Sequence, residues 1–143
     1  MKKQKFLAVL IIGILLISCK TTKPVTDDTF HEVYNKYKKN LILDGAESYT
    51  VVRGDTLYLI SQKFYNQEGF YYPIIMLASR DIVLDPDKIK PGMVLTIPNL
   101  KVNLENREAK QAIKGVMMDC ANIEVCRNRQ PAAVEIRKLA SRL

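Results

Sequence analysis

The chain has 143 residues, room for one ordinary domain or a small domain with trimmings. At 48% hydrophobic and 26% charged residues it has globular composition, which excludes a disordered or collagen-like chain. The net charge of +7 is scattered, with no basic stripe interleaved with aromatics, which argues against nucleic acid as a partner.

The start of the chain stands apart from the globule. Lys2, Lys3 and Lys5 precede an apolar run from Phe6 to Ile17. That run is shorter than the roughly 20 residues a spanning helix needs, and it fits the core of a secretory signal. Leu16-Ile17-Ser18-Cys19 then resembles the lipobox of bacterial lipoproteins. The resemblance implies a signal peptide over residues 1–18, cleavage before Cys19 and lipid on that cysteine. It also implies an exported protein anchored to the cell envelope and facing the periplasm. An ordinary signal with an incidental cysteine is the competing reading. Cleavage removes three lysines and leaves 19 basic against 15 acidic residues, a net +4.

Residues 19–28 are polar, contain a proline and read as a tether. Phe30, Val33, Tyr34, Tyr37 and Leu41 recur at helical spacing, so residues 29–47 are expected to hold a short amphipathic helix and a turn at Gly45. Residues 49–53 form a β-rich run, and Gly54-Asp55-Thr56 punctuate it. Leu57, Ile60 and Phe64 mark a first helix. Pro73 suits the first turn of a second, through Ile74 to Leu77. A loop with Pro86, Pro91 and Gly92 leads to a closing strand over residues 93–98. The order strand, helix, helix, strand predicts an α+β fold: a two-stranded antiparallel sheet with both helices on one face. Val51, Leu57, Ile60, Phe64, Ile75, Leu95 and Ile97 are its expected core.

From Leu104 the pattern is helical again, with a stripe of Ile113, Val116, Met117, Cys120 and Ile123. Pro131 opens a last helix with Val134, Ile136 and Leu139 as its apolar residues. Cys120 and Cys126 would lie on one helix, with roughly 9 Å of rise between them. A disulfide tolerates about 7 Å between Cα atoms, so free thiols are favoured. The alternative frays the helix near Asn122 and closes a small loop.

The stretch Tyr49 to Tyr65, "YTVVRGDTLYLISQKFY", followed by "IKPGMVLTIP" over residues 89–98, resembles a LysM (lysin motif) domain. The residues carrying the likeness are Gly54, Asp55, Thr56, Leu57, Ile60, Pro91, Gly92, Leu95, Ile97 and Pro98. It sets a LysM domain over residues 48–99 and a helical extension over 100–143. The longer middle, with Tyr72-Pro73 and "DPDKI", is similar to a longer LysM subtype of bacterial envelope proteins. Lipobox, LysM and terminal helices together resemble a LysM lipoprotein family of diderm bacteria. Two positions depart from the family pattern. Ser79 stands where members often carry an Asn that braces the next loop, which puts that loop's rigidity in question. Tyr58 and Tyr72 stand where Trp is frequent.

The resemblance implies non-catalytic binding of N-acetylglucosamine glycans, chiefly peptidoglycan, in a groove between two loops. Carried over, Gly54, Asp55, Thr56 and Leu57 form one wall and Pro86, Asp87, Lys88 and Ile89 the other. The backbone amides pair with the sugar's acetamido group, and Leu57 and Ile89 receive its methyl. The rival reading is an envelope protein–protein scaffold that has lost glycan binding and works through its terminal helices.

Other motifs take bland readings. Arg53-Gly54-Asp55 spells an adhesion tripeptide, but a strand-to-helix junction demands Gly54 for the turn, with Asp55 and Thr56 as helix caps. His31 is the only histidine, so neither a metal site nor a catalytic triad is indicated. Asp85-Pro86-Asp87 has too few ligands for a calcium loop, and Lys88 opposes a cation there. No cofactor and no enzymatic activity are expected.

Overall fold

A computed structural model describes residues 24–143. The signal peptide and the first half of the tether, Cys19 included, lie outside the described residues. Helix α1 spans Asp27–Tyr37 and tightens into a 3-10 turn at Lys38–Asn40. It starts inside the stretch read as tether. Asp27 and Asp28 occupy its first turn, where negative charge is favoured by the helix dipole. Thr26 N–H donates to Thr29 Oγ1 at 3.0 Å.

Strand β1 (Glu47–Thr50) pairs antiparallel with β2 (Val94–Ile97), Glu47 opposite Ile97 and Thr50 opposite Val94. The first strand ends earlier than its β-rich composition predicts. Val51 still exchanges hydrogen bonds with the facing loop, but the Asp55 carboxylate takes the Val52 N–H and turns the chain away. Between the strands lie α2 (Leu57–Phe64), a 3-10 turn (Gly69–Tyr71) and α3 (Tyr72–Ala78). The expected core residues are buried, except that Phe64 sits at the margin, edge-on to Tyr49.

Helix α3 is the hub. Ile74, Ile75, Met76 and Leu77 are consecutive and all fully buried, which no helix with one wet face allows. The sheet and α2 cover part of it, and flanking helices cover the rest. The covering helices are α1, through Tyr34, and α5 (Arg107–Cys126), which follows α4 (Leu100–Glu105) and precedes α6 (Gln130–Arg142). Helix α5 packs on α1, α3 and α6. Tyr34 of α1 reaches Met76 Sδ at 3.2 Å, and Tyr72 of α3 donates to Glu124 of α5 at 3.2 Å. Among the described residues no helix is long and apolar enough to cross a membrane.

Three expectations change. Val134 is 56% exposed, and the buried face of α6 is Ala133, Ile136, Leu139 and Ala140. Val134 and Ile136 are two residues apart, about 200° around a helix, so they cannot share a face. Within the 100–143 extension, helix begins at Leu100, four residues ahead of the periodic pattern seen from Leu104, and Asn99 Oδ1 accepts Val102 N–H there. Helix α5 does not fray at Asn122. It runs unbroken to Cys126, Cys120 is a free and buried thiol, and no Cys120–Cys126 bridge forms. Burial pushes the Cys120 thiol well above its ordinary pKa, so it is chemically quiet. Cys126 is not a free thiol, contrary to the sequence expectation.

Candidate functional site

The loop after β1 is built around one glycine and one carboxylate. Gly54 sits at φ +94°, a left-handed conformation that side chains resist, and the space beside it is open. Asp55 N–H donates to Val52 O at 3.2 Å, and Val52 N–H returns the bond to Asp55 Oδ2 at 2.9 Å. Tyr49 Oη also donates to Asp55 Oδ2 at 2.9 Å. Asp55 is therefore a turn lock and does not cap the helix as expected. Thr56 alone caps α2, its Oγ1 accepting Leu59 N–H at 3.2 Å. The adhesion tripeptide is consumed by this junction.

Leu57 does not face a groove. It is only 2% exposed and belongs to the core. The apolar side chains this wall does offer are Val52, 55% exposed, and Leu59, 49% exposed. Sequence reasoning missed Leu59, although its signal was present. It lies two residues past Leu57, hence on the opposite side of the helix.

The second wall begins where Ser79 ends α3. Ser79 Oγ accepts Thr96 N–H at 2.9 Å and donates to Thr96 O at 3.3 Å. Its carbonyl accepts Ile82 and Val83 N–H. The serine thus braces the loop against β2, and the departure from Asn leaves it anchored. Asp85 Oδ1 accepts Asp87 N–H at 2.9 Å and opens a 3-10 turn at Pro86–Lys88.

A cavity of about 390 Å³ lies against this wall, lined by Ile82, Leu84, Asp87, Lys88, Ile89 and Met93, among others. Of the eight expected site residues, Asp87, Lys88 and Ile89 line it. Gly54, Asp55, Thr56, Leu57 and Pro86 do not. The two loops are nevertheless tied together. Val51 N–H donates to Met93 O at 2.8 Å, and Gly92 N–H, at φ +91°, donates to Val51 O at 2.9 Å. A larger cavity of about 610 Å³ opens elsewhere, between the end of α2 and α4, lined by Phe64, Tyr65, Leu100 and Leu104 among others.

The charged side chains of the second wall are already paired. Arg127 Nη2 bridges Asp85 Oδ1 at 3.2 Å and Asp87 Oδ2 at 2.6 Å. Arg129 forks onto both oxygens of Asp87. Lys88 Nζ meets Asp27 Oδ1 of α1 at 2.6 Å. The hydrogen bond from Arg129 holds the Asp87 carboxyl below its ordinary pKa, and Arg127 adds to this. Behind them lies Glu124, 1% exposed, with Arg129 Nη1 at 3.5 Å and Arg127 Nη1 at 4.0 Å. Burial raises its pKa, while Arg129 and Arg127 pull it down. Neither arginine was marked by sequence patterning, because nothing in the local spacing of "RNRQP" shows what it will face.

The two joined loops carry apolar surface from Val52, Leu59, Ile82, Leu84, Ile89 and Met93. Among the described residues no group of three or more His, Cys, Asp or Glu side chains gathers to hold a metal.

The fold agrees with comparison to known proteins. Residues 49–98 match the sequence model of the LysM domain, so this chain carries a LysM domain flanked by helices. LysM domains bind peptidoglycan and related N-acetylglucosamine glycans, and as a class they are generally non-catalytic binding modules. The potassium binding protein Kbp of Escherichia coli O6:H1 (strain CFT073) is 43% identical over 53 residues. That match covers 37% of this chain and 35% of the relative. No solved structure matches the chain.

Proposed function

We propose that this protein is an exported, lipid-anchored envelope protein that binds the glycan strands of peptidoglycan and tethers membrane to wall. The observation that carries the reading is a LysM domain whose two loops are joined by the Val51–Gly92–Met93 hydrogen bonds. An acetamido group offers one carbonyl, one N–H and a methyl. Backbone groups of residues 54–57 and 86–89 pair with the amide, and the apolar side chains of the second wall take the methyl and the sugar's apolar face. A pre-formed loop avoids the cost of ordering on binding. Each net hydrogen bond contributes only about 0.5–1.5 kcal/mol, so one groove binds weakly. Lipid on Cys19 would hold many copies beside a polymeric wall and raise avidity.

The relative's name concerns potassium. A cation at Asp85 and Asp87 here would have to displace Arg127 and Arg129, so that property is not carried over. The test is sedimentation with purified insoluble peptidoglycan. The protein is expected in the pellet and released by soluble muropeptides. Recovery only in the supernatant contradicts the reading.

A further inference from the structure

We propose that Arg127 and Arg129 are positioning residues of the glycan groove: the α5–α6 hairpin, outside the LysM domain, holds the Asp85–Lys88 wall in its binding conformation. The inference rests on the proposed glycan reading and concerns what sets affinity at that same groove.

Three observations converge on it. First, the wall is a single 3-10 turn with no strand partner, and its own bonds are short-range: Asp87 N–H to Asp85 Oδ1 and Lys88 N–H to Asp85 O. Its long-range polar ties run to α1 and to the α5–α6 junction. Second, those ties have the geometry of a clamp. One guanidinium bridges both aspartates while a second forks onto Asp87. A planar fork fixes direction as well as distance, which a lysine cannot do. Third, the clamp is seated. Arg127 is largely buried, its guanidinium lies 5.5 Å from the Phe30 ring of α1, and Glu124 backs both arginines from beneath. The chain positions its cations from the backbone as well. Asn128 takes φ +59°, and Arg129 N–H donates to Glu124 O at 2.8 Å, so the turn after α5 is shaped to aim both side chains at the loop.

The consequence is quantitative. If the wall is competent only part of the time, apparent affinity falls in proportion to the competent fraction. Releasing the clamp so that the loop is competent about one tenth of the time weakens binding about tenfold.

The experiment uses the full mature chain and two variants, Arg127→Gln and Arg129→Gln. The second is half exposed and keeps the test informative should the first unfold. Amide hydrogen exchange of residues 85–90 is measured without ligand, and affinity for a chitin hexamer by NMR titration. Both variants are expected to speed exchange at 85–90, to leave residues 54–57 unchanged, and to weaken hexamer binding about tenfold. Arg129→Lys should restore only part of the loss. Unchanged exchange at 85–90 in a folded Arg129→Gln protein overturns the proposal. So does faster exchange with unaltered hexamer affinity, while the glycan reading survives. Failure of the unmodified protein to bind the hexamer removes the glycan reading itself, and with it this claim on affinity.

Discussion

At the scale of residues, Leu57 and Leu84 show how burial separates fold from function. Leu57 is a core residue, and truncation to Ala should cost about 2–5 kcal/mol by opening a cavity. Leu84 is partly exposed and lines the cavity at the second wall. Leu84→Asp should leave the melting curve nearly unchanged and weaken peptidoglycan sedimentation. Loss of melting temperature instead of binding would show that Leu84 is structural. Charge makes a second prediction. Asp87 is held below its ordinary value of 3.8, so its contribution to stability is present above that value and lost as pH falls beneath it. Glu124 is raised above 4.5, so its contribution is fullest below 4.5 and is lost as pH climbs through the raised value. The two losses fall in separate pH ranges, below 3.8 for Asp87 and above 4.5 for Glu124. Urea denaturation across pH 3–8 should show the gap between Asp87→Asn and the unmodified protein closing on acidification. Glu124→Gln should gain relative to the unmodified protein as pH rises above 4.5. A Gln difference that stays flat above 4.5 would contradict the burial account. Residue roles were unevenly legible in sequence. Gly54 and Thr56 followed from the turn and cap they must make. The Asp55 bonds to Val52 and Tyr49 did not, because they depend on how sharply the chain leaves β1.

The elements were legible where periodicity is strong. Helices α2 and α3 and the closing strand follow from apolar spacing and from Pro73. Helix α5 follows from its stripe, every member of which is buried. Boundaries were harder, since β1 is trimmed by a side chain and α1 is extended by acidic residues at its first turn. Gly115 illustrates what spacing alone cannot reveal. A mid-helix glycine costs about 1 kcal/mol against alanine. Here a Cβ would lie 2.3 Å from the Tyr37 ring, so the glycine makes room for α1 to seat on α5. Tyr37 Oη then donates to Asp119 Oδ2 at 2.8 Å, with Lys36 Nζ on the same oxygen at 3.0 Å. Gly115→Leu should displace Tyr37 and destabilise the protein by about 1–3 kcal/mol. Replacing Tyr37 by Ala in the same background should recover part of the loss. If the two substitutions prove additive, the glycine's role lies elsewhere.

For the whole molecule, the fully buried α3 is the organising fact. A LysM unit of some fifty residues has a small core, and here its second helix is wrapped by α1 and α5 rather than by water. Truncation to residues 48–99 should lower the melting temperature and expose apolar surface. An unchanged melting curve would mean that the flanking helices are independent of the domain. The consecutive apolar run Ile74 to Leu77 is the sequence signal of that docking, since a helix apolar nearly all round is buried on more than one side. Which polar contacts they bring was not, because Arg127 and Asp87 are 40 residues apart in the chain and meet only through the tertiary fold. The two-loop groove came from the family pattern, and the cavity beside the second wall came from the fold. The central claim is that glycan sits between these loops. Titrating chitin oligomers or muropeptides into the full mature chain while following amide NMR shifts tests it most directly. The account predicts shifts at residues 54–57 and 86–89. No shifts, or shifts confined to residues 104–142, would contradict it and favour the terminal helices as the working surface.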